Sequence, residues 1–425
     1  MRISRLSPVV FPFGLLLAFL LVRVQSAPAS AAAAESIDFP RARVLFEKKQ
    51  RGEQLTAEEQ AFVARAMAAQ KAAKEKKGGK ADISKIASTT PVSDPKIVAA
   101  LVPLDELTGT YKGESGGLYG DGRNTPPSGH LAAYLDESKM IQPLDAGGRP
   151  AKDGKIVLLS IGMSNTTMEY SQFKKTADAD PEKSPHVVIV DGAKGARTGI
   201  AWSLDGVDFL PAGEEQRLIY GLAKVGMNVR KGFGDTWSGA EAKLQASGVT
   251  AQQVQALWIK QAEAKPGALG EFPAHAKVLE ASLVNILNIA RHHYPNLRVA
   301  YLSSRIFGGW ATTPLNPEPY AYEEAFSLRW VIQKQIKGEP RLNFDPARGE
   351  VKSPIVVWGP YLWANGTTPR RSDGFRWERD DFVTNDRTHP DATARQKVAD
   401  LLLGFLKTDA GAKRWFVKGE AAAAR

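Results

Sequence analysis

Two places in this chain hold residue types that could do chemistry together. The first is "KIVLLSIGMSNTTMEY", residues 155–170, where an apolar run ends on Gly162 and passes through Met163 and Ser164 into a helix-like stretch. A strand that hands over to a helix in this way leaves backbone N–H groups free at the corner. Such a corner can hold an anion, or it can expose a serine hydroxyl for attack. The second place is "NDRTHPDA", with Asp386 three residues before His389 and Pro390 directly after. A serine nucleophile needs a base, normally histidine, and a carboxylate to orient that base. Three residues apart on one loop, Asp386 can reach the imidazole Nδ1 and leave Nε2 facing outward. Pro390 and Asp391 would start the last helix and fix the loop's exit.

The other histidines have plainer explanations. His292 and His293 end a long helical stretch, where histidine suits the C-terminal dipole. His275 falls near the start of that stretch, His186 opens an apolar run after a proline, and His130 lies among turns. There is no cysteine, so disulfides, thiol nucleophiles, zinc–thiolate sites and a lipobox anchor are excluded. No cluster of His and Asp suggests a metal, and the reading calls for no cofactor.

The elements that must position Ser164, Asp386 and His389 follow from the pattern beyond residue 155. Runs rich in Val, Ile and Leu appear at "KIVLLSI", "HVVIVD", "VQALWI", "NLRVAYL" and "PIVVWGP". Between them lie "EEQRLIYGLAKVGMNVRK", "FPAHAKVLEASLVNILNIARHH" and "YEEAFSLRWVIQKQI", and "DATARQKVADLLLGFLKT" closes the series. Continuous apolar strands alternating with amphipathic helices predict a three-layer α/β/α sandwich with a central five-stranded parallel sheet over residues 155–408. Ligands in such sheets bind at the carboxyl ends of the strands, where Ser164 would lie. Residues 409–425 would be a tail.

The first 154 residues read differently. "MRISR", then "PVVFPFGLLLAFLLV" and "VQSAPASAAAA", have the charged, apolar and small-residue order of a signal peptide over 1–26, which predicts a secreted or periplasmic protein. An apolar run of about 15 residues is short for an uncleaved anchor, and no later stretch could span a bilayer. Residues 27–81 read as a basic helical arm and linker of unknown partner, with Thr56 and Glu59 spaced as a capping box. Residues 82–154 are punctuated by Gly and Pro, which predicts a loop layer or cap rather than a helix–strand unit. The formal charge of +10 permits an acidic partner, but much of the excess lies in the arm, and no nucleic-acid motif accompanies it.

Taken in order, the segments at the strand ends resemble the SGNH (GDSL-type) hydrolases, nearest the sialic-acid and carbohydrate acetylesterase branch. "GMSN" at 162–165 resembles that branch's G-Q-S-N, and "DGAKGARTGIAW" at 191–202 resembles its glycine-containing second block, with Gly195 a better match than Gly192. "WIKQAE" at 258–263 resembles W-x-Q-G-E with one residue inserted and Ala262 in place of glycine. "DRTHP" at 386–390 resembles D-G-x-H-P with Arg387 in place of glycine. The resemblance covers the last 270 residues or so and implies a flavodoxin-like SGNH fold. It also implies a Ser164–His389–Asp386 triad, with the N–H groups of Ser164 and Gly195 and the Gln261 amide as oxyanion donors. The implied activity is removal of acetyl or another small acyl group from carbohydrate.

Substrate contacts are expected from Asn165, beside the serine, and from Arg387, a cation near the triad. Strand-following segments rich in Trp and Arg would line the same cleft, with Trp310, Trp363 and Trp377 stacking on sugars and Arg370, Arg371 or Arg376 meeting an acidic group. The same residues could equally pack under and solvate long loops. A non-catalytic carbohydrate-binding or surface-interaction protein on the same scaffold is the alternative to an enzyme. A lipase or thioesterase is less compatible with such polar, aromatic segments.

Overall fold

A computed structural model describes Leu45 and residues 55–66, 92–226 and 234–419. The chain divides into two compact units, Met1–Ile83 and Ser84–Arg425. In the first, residues 57–66 are helical, and the capping box forms as Thr56 N donates to Glu59 (2.9 Å) and Glu59 N to Thr56 Oγ1 (3.2 Å). Leu45, Leu55 and Val63 make its small apolar cluster. The signal-like segment 1–26 and most of the arm lie outside the described residues. Among the described residues, no helix is long and apolar enough to cross a membrane.

The second unit is an α/β fold. A hairpin of β1 (Thr110–Tyr111) and β2 (Glu114–Ser115) precedes five strands: β3 (Ile156–Gly162), β4 (Val187–Val190), β5 (Val254–Lys260), β6 (Val299–Leu302) and β7 (Ile355–Trp358). These five form one all-parallel sheet in the order β4-β3-β5-β6-β7. Every residue of β3 and β5 is buried, as expected of central strands covered on both faces. Burying each Val, Leu or Ile of such a strand contributes about 1.5–3 kcal/mol.

The helices are α1 (Pro95–Ala100), α2 (Ser128–Lys139), α3 (Ser164–Asp178), α4 (Gly199–Leu204), α5 (Glu214–Lys224), α6 (Thr236–Ala246), α7 (Ala274–His293), α8 (Tyr320–Ile336), α9 (Ala392–Thr408) and α10 (Lys413–Phe416). Two packed pairs, α3 with α9 and α7 with α8, flank the sheet. The strand order doubles back between β3 and β5. Their carboxyl ends therefore form the crevice where α/β sheets receive ligands.

The segment before residue 155 departs from the expected loop layer, because it holds the twelve-residue helix α2. The buried residues of α2 are His130, Tyr134 and Ser138, a polar stripe at helical spacing that gives no apolar periodicity to read. His130 Nε2 bonds Val356 O (2.9 Å), and Leu104 N donates to Tyr361 Oη (3.0 Å), so residues 92–154 pack within the second unit. Residues 409–419 are also structured, with Trp415 and Phe416 in its core.

Candidate active site

The serine corner is built by close packing. Met163 is the N-cap of α3 and offers no side-chain cap, so the first amides of the helix stay available around Ser164. Gly162 has no room for a side chain: a Cβ there would lie 2.2 Å from Thr166 Oγ1 and 2.3 Å from Lys260 O. That absence lets the first turn of α3 close on β5, and Thr166 Oγ1 donates to Lys260 O (2.5 Å). One turn later, Glu169 receives both carboxylate bonds from Lys260 Nζ (2.6 Å each), with both side chains fully buried. Burial pushes the Lys260 ammonium down to about 8, against the opposing pull of Glu169.

The histidine loop is built by polar bonds. Val383 N donates to His389 O (3.0 Å) and Arg387 N to Val383 O (3.0 Å), closing the turn. Asp386 Oδ1 accepts from Thr388 N (2.8 Å) and His389 N (3.0 Å), while Oδ2 lies 2.5 Å from His389 Nδ1. Burial opposes ionisation of Asp386, but these bonds from His389 and Thr388 outweigh it and hold its carboxyl below the usual range. An ionised carboxylate only accepts, so Nδ1 carries the ring proton and Nε2 presents its lone pair. Ser164 Oγ lies 2.8 Å from that Nε2 and donates to it. Asp391 then caps α9 by accepting from Ala394 N (3.0 Å). Serine, histidine and aspartate thus form one continuous relay, half-buried at the carboxyl end of β3.

Of the expected oxyanion donors, Gly195 lies beside Ser164. A Cβ built on Gly195 would have Ser164 Cβ, at 3.9 Å, as its nearest neighbour. Lys194 N donates to Gly162 O (3.1 Å), which ties that loop to the end of β3. Gly192 instead packs on β3, where a Cβ would strike Ser160 O at 2.6 Å. Gln261 follows β5, whose Lys260 is in register with Gly162, so it comes level with Met163. Its Oε1 accepts from Ala262 N (3.0 Å), and its buried Nε2 has no partner.

Several expected substrate contacts are corrected. Trp363 is fully buried, and its Nε1 donates to Glu318 (2.7 Å), so it is core rather than a sugar platform. Trp377 is likewise core, and Trp310 is half-buried, edge-on to Phe307 and Phe382. Asn165, 2% exposed, spends its amide on Thr388 O (3.0 Å) and so joins the serine helix to the histidine loop. Arg387 turns its guanidinium onto Arg379 O (2.7 Å) and Phe382 O (3.1 Å), bracing its own loop instead of facing a ligand. Its φ of +50° lies in the left-handed region, which explains why a glycine would suit that position. Arg370 is buried and paired with Asp373, Arg371 with Glu106, and Arg376 with Glu378.

Other polar groups under the site escaped the sequence reading. Glu263 accepts from Ile200 N and Ser282 Oγ (2.9 Å each), and burial pushes its carboxyl up to about 8. Burial also pushes Glu318 up to about 7. Lys260 and Glu263 do carry a sequence signal, since charge flanking an apolar strand that must be buried demands a partner. Among the described residues, no cluster of His, Asp or Glu could hold a metal ion. A cavity of about 730 Å³ lies elsewhere, lined by Phe209, Pro295 and Arg341 near the amino end of β6, so chemistry rather than depth marks this site. No protein-family model matches the chain, and no curated protein matches it.

Proposed function

We propose that this protein is an exported serine esterase of SGNH type that hydrolyses acetyl or other small acyl esters on carbohydrate. The observation that carries the reading is the relay from Ser164 Oγ through His389 to Asp386, at 2.8 and 2.5 Å, beside the β3–β5 crevice. His389 Nε2 takes the Ser164 proton as Oγ bonds to the ester carbonyl carbon, and Asp386 stabilises the imidazolium. The N–H groups of Ser164 and Gly195 and the Gln261 amide would hold the oxyanion, each such donor contributing about 3 kcal/mol. Collapse expels the sugar alcohol, which takes the proton from His389. A water then repeats the cycle on the acyl-serine and releases the carboxylic acid.

The test is hydrolysis of p-nitrophenyl acetate, butyrate and octanoate by wild type and Ser164→Ala. Hydrolysis of the acetate that the substitution abolishes is the expected result. Equal inactivity of both proteins on these esters and on acetylated polysaccharides would overturn the esterase and leave a carbohydrate-binding protein on the same scaffold.

A further inference from the structure

Arg305 is a buried cation that nothing in the relay uses. It lies three residues beyond β6, in the segment that leads from that strand to the histidine loop. At one end Ser303 N donates to Ile259 O on β5 (3.0 Å), and at the other Thr312 N donates to Asp386 O (2.9 Å). The segment therefore runs from beside β5 to the histidine loop. Arg305 is 5% exposed, and among the described residues no hydrogen bond or ion pair engages its guanidinium. The other buried lysine and arginines among the described residues are all paired: Lys260 with Glu169, Arg329 with Glu114 and Arg370 with Asp373.

An unpaired buried guanidinium is costly and calls for an anion. Among the described residues no carboxylate is in ion-pair contact with it. Glu324 is within electrostatic reach, with Oε1 accepting from Glu263 N (3.1 Å) and Oε2 unpartnered, yet no hydrogen bond joins it to Arg305. Lys260 is bonded to Glu169, whereas Arg305, beyond the end of β6, keeps its Nε buried without a hydrogen-bond partner. Adjacent strands are about 4.8 Å apart, so β6 lies two spacings, roughly 10 Å, from the strand that carries Ser164. One glycosyl unit with its substituents can span that gap.

We propose that Arg305 is the anion-binding residue of the crevice and takes the carboxylate or sulfate of an acidic carbohydrate whose ester lies at Ser164. This rests on the esterase reading and narrows its substrate to acylated acidic glycans. Arginine suits the task because its planar fork meets either oxyanion with two parallel hydrogen bonds.

The experiment compares full-length wild type, Arg305→Gln and Arg305→Lys on three acetylated methyl glycosides: a uronate, a sulfated sugar and a neutral sugar. Wild type should prefer one of the charged esters, and the better of the two identifies carboxylate or sulfate. In Arg305→Gln the ratio of kcat/KM for charged over neutral ester should fall about 10- to 100-fold, chiefly through KM, as for a lost bond to a charged group. Arg305→Lys should recover part of it. Should Arg305→Gln not fold, competitive inhibition of wild type by the unesterified uronate or sulfated sugar, but not by the neutral sugar, decides the point. Active enzyme with no charge preference and an unchanged ratio overturns the inference alone. If no ester is cleaved, the esterase fails, and calorimetry of the same acidic sugars on Ser164→Ala with and without Arg305→Gln still decides the anion site.

Discussion

The two halves of the relay are held in opposite ways. The serine corner rests on the fully buried strands β3 and β5, with Gly162 pressed against Lys260 O and Thr166. The histidine loop touches the core lightly and is held by directional bonds: Asp386 to two amides and a ring nitrogen, Thr312 N to Asp386 O, and Asn165 to Thr388 O. Packing defines position without regard to protonation. Polar bonds also fix which ring nitrogen carries the proton. A nucleophile needs the first kind of support, and a base needs the second as well.

The largest effect should come from Asp386→Asn, which keeps the shape of the loop but can present a donor where a carboxylate only accepted. The wrong histidine tautomer would follow, and kcat on p-nitrophenyl acetate should fall about 10⁴-fold with little change in melting temperature. A kcat near wild type would mean that other groups orient His389. Next is Gly162→Ala, which puts a methyl within 2.3 Å of Lys260 O. Overpacking of this kind costs about 1–3 kcal/mol, read by urea unfolding, and the displaced Ser164 should slow turnover as well. Wild-type stability in that variant would show the corner to be softer than its packing suggests.

Smallest is Arg387→Gly. Glycine relieves the left-handed backbone at φ +50° but gives up the guanidinium's bonds to Arg379 O and Phe382 O, so stability should stay within about 1 kcal/mol of wild type. A loss above about 2 kcal/mol would show that the side-chain brace outweighs the backbone strain. The three variants together separate support by packing from support by bonding.

The same contrast governs what was legible in the sequence. All five sheet strands could be read because each is a short, largely apolar run. Asp386 and His389 could be read because their spacing is local, and Ser164 because it closes a strand. Helix α2 could not, since its buried face is His130, Tyr134 and Ser138. Trp363 looked like a sugar platform because composition does not say which side of a loop faces the core. Arg387 looked like a ligand for the same reason. Arg305 could not be singled out because a lone cation in "SSRIFGG" becomes telling only once its burial and its lack of an ion pair are known.

The relay also joins distant parts of the polypeptide. Ser164 and His389 are 225 positions apart, and α3 packs on α9, the long helix that begins just after the histidine. Chain closure over that length is entropically demanding, and contacts of such separation form late in folding. Ser164 is therefore synthesised long before His389, and the two meet only when nearly the whole second unit has been made and packed. A nascent or C-terminally clipped chain carries an inert serine. Esterase activity, as proposed, would report that the stretch from Ser164 to His389 is made and folded.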